Sequence, residues 1–369
     1  MIDPIINFFT MVFQWIGRGI GIVIGWLLWP FLWLGRWWLR KGWIVKTVVG
    51  IVVAGIVAFY AYFMVQTQVW TNFDPDYVAA YDFAERKTLP GDPVAGQTNA
   101  CGVSSIVEVT ADLTDFNVNQ NAWIPSMLAS KMGLFGMDWK YTPFFDNKAA
   151  FQLGINEILR RTSFELVDRL GRVRGTSQID QSLQDARQNL NYKEDLWYIT
   201  TQAPYFIAPT PATYRTAVGN LRAFNQRLAS CDATFDPRAD NLLRFLDTMT
   251  NAIGSTSDIL RDQIELSDAG WFDTRADDRF WFAYGQLYAL NGIMSAVHSD
   301  FRAVFAERNL ERTWAEAESQ LRAALNMQPL IISNGGESAF VMPSHLANMG
   351  FYLLRVRSNM TEMRDILDR

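Results

Sequence analysis

The chain has 369 residues, 49% of them hydrophobic and 19% charged, with a formal net charge of −5. That size and composition suit a membrane anchor plus one or two ordinary domains and exclude a polytopic transporter. Up to Trp70 five Lys/Arg stand against one acid, Asp3, so this part carries a charge of +4 and the remainder −9; an acidic body without Lys/Arg clusters argues against nucleic acid as a partner.

The first apolar block, Gly19 to Gly35, is uncharged over 17 residues, contains Pro30 and has Arg18 at its upstream edge. That is borderline for a span, since a helix needs about 20 residues to cross a hydrocarbon core of about 30 Å. Residues 1–43 are therefore expected to form an aromatic-rich helix that is either embedded in the membrane or interfacial, with Trp15, Trp26, Trp29, Trp33, Trp37, Trp38 and Trp43 at headgroup depth. The second block is clearer: Thr47 to Trp70 gives 24 residues without a charge, and residues 44–70 are expected to be a transmembrane helix. Arg36, Arg40, Lys41 and Lys46 flank it upstream and "TNFDPD" downstream. The positive-inside rule then leaves the basic flank in the cytoplasm and residues 71–369 in the periplasm of a bacterial inner membrane. A cleaved signal peptide fits poorly, because the apolar region is too long and lacks an A-x-A-like site.

Small residues recur every fourth position in both blocks, Gly17, Gly21 and Gly25 in the first, Gly50, Ala54 and Ala58 in the second. Such stripes allow helices to approach closely in lipid, so the lipid bilayer, other membrane proteins or a second copy of the chain are the expected partners. The plainer explanation is that Gly is simply frequent in membrane helices.

Beyond Asp74 the apolar positions step by 3 and 4, which predicts an all-α, elongated bundle of about eight helices. Candidate helices are 75–85, 99–113, 147–171, 180–190 and 238–266. Core seams run through Ala217, Leu221, Phe224, Leu228 and Cys231; through Ala283, Leu287, Leu290, Met294, Val297, Phe301 and Val304; and through Leu310, Trp314, Ala317, Leu321 and Ala324. The last, Leu346, Met349, Leu353, Val356, Met360, Met363 and Leu367, follows a start at which Ser344 suits the N-cap. "LPGDPVAGQ", "TQAPYFIAPTPA" and "MQPLIISNGGES" read as loops, and "WYITTQAPYFI" and "LIIS" as short strands at most.

Four features are candidates for chemistry. Cys101 and Cys231, separated by 130 residues, suit a disulfide in an oxidising compartment, against the alternative that Cys231 only completes its seam. In "LGRVRGTSQID", Arg172 and Arg174 precede Thr176 and Ser177 at an expected helix start, a place for a phosphate, a carboxylate or a lipid headgroup; the alternative is a C-cap at Gly171 and solvated arginines. "FDPRADNLLRF" and "FDTRADDRFWF" share F-D-x-R-A-D, 37 residues apart. The shared pattern predicts two helix starts, capped by Asp236 with Pro237 at the first helical position and by Asp273 or Thr274; Arg238 with Asp240 and Arg275 with Asp277 would be polar first-turn groups or ligand-binding pairs. His298 and His345, the only histidines, cannot by themselves build a multi-His metal site. No Walker, Rossmann or zinc-protease pattern occurs, and no cofactor is expected.

"LGRVRGTSQID", "RADNLLRFL", "FDTRADDRFW" and "MPSHLANMGFYLLR" resemble a proteobacterial family of inner-membrane-anchored proteins classed as a domain of unknown function. The resemblance implies an all-helical, envelope-facing body and transfers no catalytic residue. The expected function is a non-enzymatic cell-envelope scaffold, tether or accessory subunit. The alternative is a carboxylate-dependent hydrolase of cell-wall or lipid material, using an acid such as Asp240 or Asp277.

Overall fold

The computed structural model describes residues 3–142, 144–171, 179–200, 202–266, 273, 275–335 and 343–369. The protein is all-α: among the described residues there is no β-strand, only isolated bridges such as Ile199 to Phe206. It divides into two compact units, Met1–Tyr62 and Phe63–Arg369.

The first unit holds α1, Asp3–Arg40, and most of α2, Trp43–Gln68. α1 runs for 38 residues with Pro30 inside it, about 57 Å at 1.5 Å per residue. Among the described residues α2 is the helix long and apolar enough to cross a membrane. Over residues 51–58 its side chains are exposed around the whole circumference, Ile51, Val53 and Val57 among them, the reverse of a soluble core helix. A Cβ added at Gly25 or Gly50 would meet no atom within 4 Å. Neither residue therefore seats a close contact inside the chain. Ala54 and Ala58 are likewise exposed, and Gly17 and Gly21 lie on α1.

The second unit is built from α3 Ser105–Asp115, α4 Leu128–Met132, α5 Asn147–Glu165, α6 Gln181–Leu190, α7 Thr210–Ala229, α8 Ala239–Leu266, α9 Ala276–Asp300, α10 Arg302–Glu307, α11 Glu311–Leu325 and α12 His345–Leu367. α9 is its axis, packed on by α5, α3, α11, α12 and α8. Every residue from Ala283 to Val297 is buried, which is why the helix is apolar on nearly all faces. All seven apolar positions of the α12 seam are buried, as are the α11 seam and the α7 seam through Leu228.

The α5–α9 crossing depends on two glycines. A Cβ at Gly154 would stand 2.1 Å from the Phe282 carbonyl oxygen, and one at Gly285 2.1 Å from that of Phe151. The two backbones touch directly there, with the helices running parallel: Asn147 faces Asp277 and Gly154 faces Gln286. A sequence reading registers such glycines as helix weaknesses; here they permit an approach that no side chain allows.

Three expected helices are shorter than their sequence pattern. Residues 75–85 form two 3₁₀ turns, Tyr77–Tyr81 and Phe83–Glu85, interrupted by Asp82 in the left-handed region (φ 47°). α3 starts at Ser105, not at 99, because Ser104 Oγ accepts from Val107 N as the cap and Gly102 sits hard against the Leu89 backbone. α7 ends at Ala229, so Cys231 does not extend its seam. Asp232 N donates to Arg227 O (2.8 Å) and Cys231 N to Leu228 O (3.1 Å), with Cys231 at φ 64°. That is a Schellman closure, a position usually filled by Gly. Here the exposed Cys231 directs its sulfur to buried Cys101, with an S–S distance of 2.06 Å. Cys101 N also donates to Ala229 O (2.8 Å), so backbone and side chain hold the same junction.

Candidate functional site

The most heavily engineered polar place in the second unit is the N-terminal end of the parallel pair α5 and α9, where the chain leaving α2 is also secured. The last carbonyls of a helix lack intrahelical partners, and three of those at the end of α2 find donors. Val65 O accepts from Val69 N (2.9 Å), and Thr67 O from the Trp70 indole (3.0 Å). Lys148, only 2% exposed, donates its ammonium to Gln66 O (3.0 Å) and Val69 O (2.6 Å). A cation is the favoured group at a helix C-terminus. Burial pulls Lys148 down to about 8, so it carries its charge at neutral pH against a desolvation cost. Gln68 Nε2 reaches Phe144 O (2.9 Å), while Asn121 exchanges two 3.0 Å bonds with the Thr71 backbone. Trp70 stacks on Phe151 with ring centroids 4.9 Å apart.

At the starts of α5 and α9 three carboxyls converge. Asp146 occupies the N-cap position of α5 but makes no side-chain cap bond. Its carboxyl turns instead to Asp278, in the first turn of α9. Burial, then the neighbouring acids Asp278 and Asp277, push Asp146 far above the carboxylate range. Burial raises Asp278 as well, opposed by its bond to Asp146 and by Arg279 and Arg275. Of the two, Asp146 is the one whose protonated form burial and its acid neighbours favour most. Asp277, 5% exposed, is raised to about 7, first by burial and then by Asp278. Asn147 donates to Asp277 Oδ2 (3.0 Å) and accepts from the Trp281 indole (3.3 Å). Chemically this is an acid hydrogen-bonded to a carboxylate, capable of holding and passing a proton.

A second polar recess, a cavity of about 810 Å³, lies between α9, α11 and the 3₁₀ turns. Asn291, Ser295 and Ser299 line it from one stripe of α9, Arg302 from the start of α10, and Trp314, Glu318 and Arg322 from α11. Its charges are largely engaged with one another: Arg322 bonds Glu318 (2.6 Å), and His298, stacked on Trp314, bonds Glu311 (2.9 Å). His298 is therefore a partnered histidine at the core edge. His345 Nδ1 accepts from Ser333 N (3.0 Å), and burial lowers its affinity for a proton.

The two F-D-x-R-A-D copies receive different surroundings. Asp236 is held by Arg238 through Nε and Nη2 of its guanidinium, and α8 opens only at Ala239, so neither the Asp236 cap nor Pro237 as first helical residue is realised. Arg238 supplies the carbonyl for Leu242 N (3.0 Å) in their place. Asp240 is exposed, whereas its counterpart Asp277 is buried in the acid cluster. Asp273 accepts from Gln263, Asn334 and the Arg275 amide, and Arg275 itself is exposed. Thr274 lies outside the described residues, as do Arg172, Arg174, Thr176 and Ser177. The helix downstream of those four begins at Gln181, with Asp180 accepting from Leu183 N (3.1 Å). Gly171 has φ −87° and lies against Leu183, so close packing and not left-handed backbone selects it.

Sequence reasoning missed Asp146, Asp278 and Lys148. Asp146 and Asp278 are far apart in sequence, and Lys148 looks like any polar residue of a helix start. The one available signal was the surplus acid in "RADD", absent from "RADN".

A family model described as "Uncharacterized protein conserved in bacteria (DUF2333)" matches residues 48–269 and 261–369. The match takes in α2 from residue 48 and leaves α1 outside it. No curated protein and no solved structure matches the chain.

Proposed function

The chain belongs to the bacterial DUF2333 family, and we propose that it is an inner-membrane-anchored scaffold, tether or accessory subunit whose helical body stands in the periplasm. The observation that carries this reading is the Cys101–Cys231 bond, located after an apolar helix whose upstream flank is basic. Disulfides persist in oxidising compartments and are rare in the cytosol, and the positive-inside rule independently sends the same residues outward. α1, with its tryptophans and Arg18, Arg36 and Arg40, is the membrane-embedded or interfacial companion on the basic side. A scaffold role is favoured by the way buried charge is used: Lys148 closes the end of α2 and Asp300 the start of α3, both tasks of rigid construction. The open stripes at Gly25 and Gly50 leave smooth helix faces for lipid, a second copy or another membrane protein.

Topology is tested by fusing alkaline phosphatase and, separately, green fluorescent protein after Arg369. The proposal expects active phosphatase and a dark fluorescent fusion; the opposite pair of results overturns it. Affinity recovery from native membranes then names the partners.

The hydrolase alternative draws on the Asp146–Asp278 pair, since an acid poised against a carboxylate is the arrangement general acid–base chemistry uses. It predicts that Asp146→Asn and Asp278→Asn abolish turnover of cell-wall or lipid substrates by the purified full chain without unfolding it. Unchanged turnover in both variants removes it.

A further inference from the structure

The loop that follows α4 exposes a run of large apolar side chains. Phe135 is 81% exposed, and Met132, Met137, Tyr141 and Phe144 are each between 41% and 50% exposed. A soluble body has no use for such a concentration in a dozen residues. The same loop contributes Trp139, which turns inward, 3% exposed, with its ring 4.9 Å from that of Phe63 and its indole donating to Ala129 O (2.7 Å). Phe63 lies within the uncharged stretch of α2. Counted from Thr47, about 20 residues fill a hydrocarbon core of about 30 Å and end at Gln66. Phe63 stands three residues, less than one helical turn, short of that limit. A loop packed on Phe63 is consequently held at the depth of the bilayer boundary, with its other side chains pointing away from the body. Lys140 lies over the Tyr141 ring, 5.1 Å from its centroid, and pairs with Asp138 at 3.0 Å. An aromatic body with a cationic tip is what suits the headgroup layer.

We propose that the segment Met132–Thr142, together with Phe144, is a membrane-contacting collar, inserted into the outer interface of the same bilayer that α2 crosses. The inference rests on the anchored reading above and adds a second, monotopic attachment beside the helix. Its occupant is lipid: the apolar tips enter the acyl boundary while Lys140 stays among the phosphates. A body attached at the span and at a neighbouring loop loses the freedom to swing about α2, which fixes the outlook of its remaining surface.

The test uses the full chain, native disulfide intact, reconstituted in phosphatidylethanolamine/phosphatidylglycerol vesicles. Single cysteines replace Phe135, Met137, Val57 and Arg312 in turn and are spin-labelled. Collision with lipid-soluble oxygen is then compared with collision with a water-soluble nickel chelate. Labels at Phe135 and Met137 are expected to show oxygen-to-nickel ratios several-fold above that of exposed Arg312 and to approach that of Val57 in the span. If both match Arg312 while Val57 stays shielded from nickel, the collar is wrong and the anchor stands. If Val57 is also open to nickel, the anchor fails and the collar with it.

Discussion

The second unit buries carboxyl groups in two places, at the starts of three helices, and treats them in opposite ways. At the start of α3, Asp300 arrives from the end of α9 and accepts from Ser104 Oγ (2.7 Å), Ser105 N (2.9 Å) and Ile106 N (3.1 Å). Three donors and a helix N-terminus surround one anion, an arrangement that stabilises the ionised form. Burial still outweighs them and raises Asp300 to about 6, yet at neutral pH it is ionised and fully bonded. At the start of α5 and α9 the carboxyls of Asp146, Asp277 and Asp278 face mainly one another, and the conflict is relieved by keeping a proton. The contrast teaches that depth of burial does not decide what a buried acid does; the supply of N–H and O–H donors around it does.

Breaking the satisfied site has the largest expected effect. Asp300→Asn would set an amide NH₂ against the Ser104 hydroxyl or the Ile106 amide, pairing donor with donor. Each buried donor left facing a donor costs about 1–3 kcal/mol, to be read as a fall in unfolding free energy of the full chain in detergent. A loss under about 1 kcal/mol would mean the three bonds to Asp300 are dispensable. Lys148→Met comes next, since Gln66 O and Val69 O would both lose their donor, at about 1–3 kcal/mol for each buried group left unsatisfied. This variant also changes a slope. The folded chain holds the Lys148 proton less tightly than the unfolded chain does, so stability rises as pH increases from about 8 to the ordinary lysine value of 10.5. The rise should vanish in Lys148→Met, and its persistence would assign it to another group.

Much of the frame was legible before any coordinates. Steps of 3 and 4 located α7, α9, α11 and α12 because burial on one face imposes that period directly on sequence. Two cysteines with no other role pointed to each other. What escaped is what depends on tertiary meeting. Gly154 and Gly285 gain meaning only where α5 and α9 cross, Lys148 only where α2 ends, and Asp146 only where another helix brings Asp278 to it. The repeated F-D-x-R-A-D misled for the same reason. Local pattern sets a helix start, but the burial of Asp277 where α9 packs against α5, and the exposure of Asp240, set the chemistry.

Smaller effects sharpen the comparison at the unsatisfied site. Asp277 binds its proton more tightly folded than unfolded, so its contribution to stability is full below pH 4 and is lost as pH rises toward about 7. Asp277→Asn keeps an oxygen to accept from Asn147 and removes the charge. It should be close to neutral at pH 5 and stabilising by about 2 kcal/mol at pH 8, where the wild-type carboxyl is ionised against its will. A variant destabilised at both pH values would show that the carboxylate is wanted there. The smallest effect belongs to the twin position. Asp240 occupies the same place in the repeated motif but stands exposed in the first turn of α8, where its charge is worth a few tenths of a kcal/mol through the helix dipole. Asp240→Asn is therefore expected to lower stability only slightly. If it reproduced the pH-dependent gain of Asp277→Asn, the repeat and not the burial would govern these acids, and the distinction between satisfied and unsatisfied carboxyls would lose its cause.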